Sequence, residues 1–119
     1  MKTILWDQFK NSIKNYLHYK ELDKFIKTVI EQEKPLQIYL FGSLAHDRFN
    51  SDSDADLFVI YDHAIDIPSV KMKLLSFSPF KDETIDPFPY FVEEFNMLST
   101  NQGLFIYHAL KQSVLIFEC

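Results

Sequence analysis

Two aspartates, Asp54 and Asp56, flank Ala55 at the head of an apolar run, ADLFVIYD at 55–62. In an extended strand, residues i and i+2 share a face, with Cα atoms ~6.6 Å apart. Two carboxylates on one face repel each other unless cations sit between them. Their oxygens can converge on one ion, or share two ions ~3.5–4 Å apart. Hard oxygen ligands of this kind favour Mg²⁺ or Mn²⁺. Ten residues separate Asp54 from a second feature, Gly42-Ser43, whose glycine closes another apolar run, LQIYLFG at 36–42. A glycine lets the backbone approach a phosphate with no Cβ in the way. A helix starting near Ser43 would aim free N–H groups and its positive dipole end at that phosphate, and the serine hydroxyl adds a donor. One loop that cradles phosphate, beside a strand that supplies metal ligands, is what phosphoryl and nucleotidyl transfer require. Each half alone is commonplace, since acidic turns are usually solvated and a GS pair after a strand is usually an ordinary turn. The informative feature is their order: a buried-type strand, then GS, then D-x-D opening a second apolar strand.

These residues need elements to hold them. The 36–42 run, rich in apolar and aromatic residues and ended by glycine, predicts a buried strand. Residues 55–62 predict a second, with Asp54 at its mouth and Asp56 just inside. SLAHDRF between them reads as a helical turn or short helix, and NSDSD at 50–54 as a turn. Upstream, Leu5, Phe9, Ile13, Tyr16 and Leu17 fall at helical spacing over 4–18. Leu22, Phe25, Ile26, Val29 and Ile30 do so over 21–33, before Pro35 forbids further helix. Two helices, or one broken near 18–21, fit equally. Pro68 opens a helix carrying Val70, Met72, Leu74 and Leu75, and Ser78-Pro79 closes it. Residues 84–92 predict a strand that Pro87 and Pro89 confine to an edge or make irregular. Residues 93–111 read as helix, interrupted near Asn101-Gln102-Gly103, and VLIFE at 114–118 as a last strand. Strands and helices alternate, so the expected class is α/β (α+β): a small mixed β-sheet with helices packed on it. A single domain over 1–119, with an extra N-terminal helix at about 1–20, is the simplest organisation.

Composition agrees. At 119 residues with 47% hydrophobic content, the chain can bury one core. Its 12 phenylalanines point to an aromatic-rich core ahead of a partner-covered face. A net charge of −5 gives no attraction for long nucleic acid, so a phosphate-handling site here needs a local device such as metal ions. The one cysteine, Cys119, rules out an intrachain disulfide, and no apolar run approaches the ~18 residues of a membrane helix. Cytoplasmic localisation is the expectation. His18, His46, His63 and His108 show no metal spacing, and only His46 lies near the predicted site. Trp6, Tyr90, Phe91 and Phe95 read as packing residues, and Glu93-Glu94 as a helix start. No P-loop, GxGxxG, CxxC or HExxH is present.

The segment at 42–59 resembles the signature of the DNA polymerase beta-like nucleotidyltransferase superfamily in its minimal (MNT) form. That pattern is G-S, about ten residues, then D-x-D and apolar strand residues. Gly42, Ser43, Asp54, Ala55, Asp56, Leu57 and Val59 fill it in register, and Ala45 and Ser53 match common family choices. The resemblance extends over residues 22–118, though its specific part is the GS-to-strand segment. It implies a polymerase beta-like nucleotidyltransferase fold. It also implies that Gly42 and Ser43 hold the triphosphate of ATP and that Asp54 and Asp56 bind two Mg²⁺ ions, with Mn²⁺ as an alternative. The family adds a third carboxylate from a later strand, which ligates metal and helps deprotonate the acceptor. Asp86, in ETIDPFPY, stands where it is expected, with Glu83 the competing candidate. The loop departs from the pattern at Asp47, where minimal members often carry glycine, and at Leu44, where a basic residue is usual. Arg48 is a candidate to compensate.

The resemblance implies a metal-dependent enzyme moving AMP from ATP to an acceptor hydroxyl. Short chains of this kind resemble MNT antitoxins paired with HEPN-type toxins, which they neutralise by adding AMP to a tyrosine of the ribonuclease. The alternative is a catalytically weak or inactive binding module that neutralises its partner by complex formation.

Overall fold

A computed structural model of the chain describes residues 2–46, 49–50, 53–78 and 84–119. Along it run β1 (Lys2–Thr3), α1 (Trp6–Phe9), a 3₁₀ turn (Lys10–Ile13), α2 (Tyr19–Glu33), β2 (Gln37–Phe41) and a second 3₁₀ turn (Ser43–Ala45). Next come β3 (Ala55–Tyr61), α3 (Ile67–Ser76), β4 (Ile85–Phe91), α4 (Val92–Ser99), α5 (Phe105–Lys111) and β5 (Val114–Glu118). Asp47, Arg48 and Glu83, all raised by the sequence, lie outside the described residues.

The two apolar runs become the adjacent strands β2 and β3, antiparallel, with Gln37 opposite Ile60 and Phe41 opposite Asp56. The five strands lie in the order β1-β5-β2-β3-β4. β3 and β4 are parallel, as are β1 and β5, while β2 is antiparallel to both its neighbours. The sheet is therefore mixed, as the alternation of elements predicts. β4 takes the edge, where the absent N–H groups of Pro87 and Pro89, two residues apart, both face away from β3.

Period-two alternation splits the strand residues between two cores. On one face Ile38, Leu40, Leu57, Val59, Val114 and Ile116 meet Leu22, Phe25, Ile26 and Val29 of α2, with Leu74 of α3. On the other Tyr39, Phe41, Phe58, Ile60 and Leu115 meet Phe95 of α4 and Ile106 of α5. The phenylalanine-rich composition thus serves the interior, although Phe105 remains 54% exposed. α2 stops where its periodicity stops: Lys34 turns left-handed (φ 47°) and donates its N–H to the Ile30 carbonyl, ahead of Pro35. Among the described residues no helix is long and apolar enough to cross a membrane.

Two expectations need correction. Residues 4–18 do not form one helix, only four residues of α-helix and a 3₁₀ turn, with Leu17 66% exposed. So short a helix has little stability of its own. Its form is set by docking: Trp6, Phe9 and Ile13 enter the core, and the Trp6 indole donates to Asp23 Oδ1 of α2 at 2.7 Å. Ser43 opens the expected helical turn, but it is a 3₁₀ turn over Ser43–Ala45 and not the start of an α-helix. The 3₁₀ turn there closes with Ala45 N–H to the Gly42 carbonyl and His46 N–H to the Ser43 carbonyl, after which His46 is extended. The helix-dipole argument for phosphate therefore lapses, leaving the loop's own N–H groups and the serine hydroxyl. Residues 93–111 bear out the expected interruption: they form two helices, α4 and α5, broken where Asn101 Oδ1 accepts the Gly103 N–H. β1 went unpredicted, because two residues carry no periodicity and only pairing with β5 makes them a strand.

Candidate active site

Register gathers the candidate residues. Phe41 of β2, Asp56 of β3 and Asp86 of β4 are successive partners across the sheet. Neighbouring strands lie ~4.8 Å apart, so the two carboxylates leave the same face side by side. That face is the aromatic one. Phe58, two residues beyond Asp56, stacks on Phe41 with ring centroids 4.1 Å apart, and Phe88, two beyond Asp86, packs against both. Asp54 stands exposed just ahead of β3, whose first residue is tied to the edge strand by Ala55 N–H donating to the Thr84 carbonyl at 2.7 Å. Upstream, Asn50 N–H donates to Ser53 Oγ and Ser53 N–H to the Asn50 carbonyl.

The loop and the strand carboxylate are in direct contact. Gly42 has φ +79°, a conformation that favours glycine, and a Cβ placed on it would lie 2.5 Å from Asp56 Oδ2. Glycine is thus needed twice, for the turn and for the space that Asp56 occupies. Leu44, where the resemblance leads one to expect a basic residue, is 1% exposed and packs in the α2-side core. It anchors the loop instead of reaching for a phosphate. Ser43 is half-buried and His46 exposed.

Burial, then the charges of Asp86 and Asp54, push the Asp56 carboxyl up from its ordinary 3.8 to about 6, against an opposing pull from Lys71. Lys71, on α3, reaches round the edge strand. Its ammonium donates to Asp86 Oδ1 at 2.9 Å and to the Pro87 carbonyl at 2.8 Å, and lies 4.2 Å from the Phe88 ring centroid. Sequence reasoning missed this residue, because a lysine beside Met72 on a helix reads as solvated. Only the parallel crossover β3-α3-β4 delivers it to Asp86.

Among the described residues, no three His, Cys, Asp or Glu side chains already form a cage for an ion. The donor chemistry nonetheless suits a hard divalent cation. Asp56 bears the cost of a half-buried carboxylate beside two others, and a cation next to it would remove that cost.

The packing residues stand as read. Trp6 and Phe95 are buried, Tyr90 packs against Phe58 and Phe95, and Glu93 and Glu94 lie in the first turn of α4.

The family model "Polymerase beta, Nucleotidyltransferase" matches residues 23–119, a span that takes in the loop and all three aspartates. A crystal structure of a candidate nucleotidyltransferase from Sulfolobus solfataricus aligns with a TM-score of 0.58, covering 92% of this chain and 86% of that one at 18% identity. At that identity the likeness concerns the fold. No curated protein matches. A family match over most of the chain, on a fold that sets Gly42 against Asp56 and Asp56 beside Asp86, makes this chain a member of the polymerase beta nucleotidyltransferase family.

Proposed function

We propose that the protein is a metal-dependent nucleotidyltransferase that moves AMP from ATP to an acceptor hydroxyl. The observation that carries this reading is the junction of the two halves of the motif, with the Asp56 carboxylate lying where a Cβ of residue 42 would be. A phosphate on the Gly42-Ser43 loop is then next to the carboxylate row. Asp54, Asp56 and Asp86 would hold Mg²⁺, two ions by family resemblance, with Mn²⁺ as a substitute. Bound there, the metal supplies charge neutralisation for the triphosphate and the departing pyrophosphate. Ser43 and the loop N–H groups orient the phosphates. In the transfer the acceptor oxygen bonds to the α-phosphorus, and the bond from that phosphorus to the β-bridging oxygen breaks. Pyrophosphate takes the electron pair, and the acceptor's proton passes to the Asp86 carboxylate.

The acceptor we infer is a tyrosine of a HEPN-type toxin, with this chain as the antitoxin, acting in the cytoplasm. An exposed aromatic side chain beside the site supports a protein acceptor: Phe105, 54% exposed, packs on Phe88 at 6.0 Å between centroids. One observation favours the second reading, a catalytically weak module that neutralises its partner by binding: an ammonium already sits on Asp86.

Incubation with α-labelled ATP, Mg²⁺ and a HEPN partner separates the two. The transferase reading expects label on the partner, abolished by Asp54→Ala and by Asp56→Ala while folding is kept. Absence of label, with partner binding that survives both substitutions, would overturn it in favour of the binding module.

A further inference from the structure

The ammonium of Lys71 is held at three points, by Asp86 Oδ1 (2.9 Å), the Pro87 carbonyl (2.8 Å) and the face of Phe88 (4.2 Å). It lies among carboxylates that the transferase reading assigns to a divalent ion, and its charge is felt at Asp56 as well. A divalent ion drawing on Asp86 would meet a like charge at bonding distance from the same side chain, and two cations so close repel. The backbone that carries the lysine is fixed. Leu74, one turn further along α3, is fully buried, and Lys73 bonds Glu33 Oε2 of α2 at 2.8 Å. The lysine itself is not fixed in that way. Its side chain is 33% exposed, and a four-carbon stem with a rotatable ammonium can swing into solvent without moving the helix.

We propose that Lys71 is a resident counter-ion of the carboxylate site, which competes with the divalent ion for Asp86 and leaves it when metal binds. The proposal rests on the metal-dependent reading above. Lys71 offsets the mutual repulsion of the aspartates in the metal-free protein and raises the metal concentration at which the site fills. It is a specificity device: a weakly bound ion does not displace it, and a metal arriving with a triphosphate does, because the phosphates add ligands that Lys71 cannot contest.

The test is Mn²⁺ binding to the full chain without nucleotide, followed through the electron paramagnetic resonance of free Mn²⁺. Lys71→Met keeps most of the stem and removes the charge. It should tighten Mn²⁺ binding by about 1.5- to fivefold, the range of a partly exposed ion pair. Lys71→Arg should stay near wild type, and in an Asp86→Asn background Lys71→Met should change nothing. If Lys71→Met does not fold by circular dichroism, Lys71→Gln is read in the same way. Unchanged or weaker Mn²⁺ binding in the neutral variant overturns the proposal. If, at the same time, wild-type binding is abolished by Asp56→Asn, the transferase reading stands and only Lys71's role falls. Failure of wild type and the neutral variant alike to bind Mn²⁺, whether alone or with ATP, overturns both.

Discussion

Replacing Asp56 by asparagine should make the metal-free protein more stable at neutral pH while removing its activity. The carboxyl is pushed from 3.8 to about 6 by burial and by Asp86 and Asp54. At 1.36 kcal/mol per pH unit, its ionised form costs the folded state about 3 kcal/mol once the pH exceeds 6. The side chain is only partly buried, so solvent screening reduces this to about 1–2 kcal/mol. The sign comes from proton linkage. A carboxyl whose folded value is raised holds its proton more tightly when folded, so its contribution is favourable at low pH. That contribution is lost as pH rises from about 4 through 6. Asparagine keeps the shape and carries no charge. For a chain of 119 residues, unfolding entropy near 2.1 cal/mol/K per residue converts 1–2 kcal/mol into a Tm increase of about 4–8 °C. The assay is thermal unfolding in chelator between about pH 4 and 8, monitored by far-UV circular dichroism and by the fluorescence of the sole tryptophan, buried Trp6. The variant should gain at the alkaline end and converge with wild type at the acid end. A lower Tm for Asp56→Asn at neutral pH, or a gain independent of pH, would refute the electrostatic account. Saturating Mg²⁺ should then raise the wild-type Tm and leave the variant's unchanged.

Gly42→Ala places a methyl group 2.5 Å from Asp56 Oδ2 on a backbone at φ +79°, so it should cost about 1–3 kcal/mol and abolish nucleotide transfer. Urea denaturation and the labelled-ATP assay check both. Trp6→Phe removes the 2.7 Å bond to Asp23 and leaves that carboxylate with Lys10 and Lys27; a loss of about 1–3 kcal/mol in urea unfolding is expected, with transfer kept. Glu33→Gln breaks the ion pair with Lys73 at a side chain only 7% exposed that also accepts from the Tyr61 hydroxyl. It should destabilise by about 1–3 kcal/mol, and hydrogen exchange should show loosening at α3.

The central strands, the edge position of β4 and the break between α4 and α5 were legible because each rests on a local cause. Those causes are an apolar run ended by Gly42, two prolines whose missing N–H groups need an open edge, and an Asn-Gln-Gly turn. The N-terminal segment misled because its apolar spacing records burial of Trp6, Phe9 and Ile13, which a short helix and a 3₁₀ turn satisfy as well as a longer helix would. The same limit hid the form of the Ser43 turn, since α-helical and 3₁₀ turns begin alike and diverge only over the next few residues.

For the site, spacing alone put Gly42-Ser43 and Asp54-x-Asp56 at the ends of two strands successive in the chain, because a two-residue period and a strand-ending glycine are properties of the local chain. Resemblance added Asp86 as the third carboxylate. What no local property contains is the register of β3 against β4, which sets Asp86 beside Asp56, and the contact of Asp56 with Gly42. The perturbed acidity of Asp56 arises from its burial first and then from the charges of Asp86 and Asp54. Nor could the chain order reveal that α3 swings Lys71 over the sheet edge onto Asp86. The sequence by itself determined which residues have the chemistry to be candidates for phosphate and metal. Tertiary structure decided which charges they meet, because Coulomb energy depends on distances through space that separation along the chain does not fix.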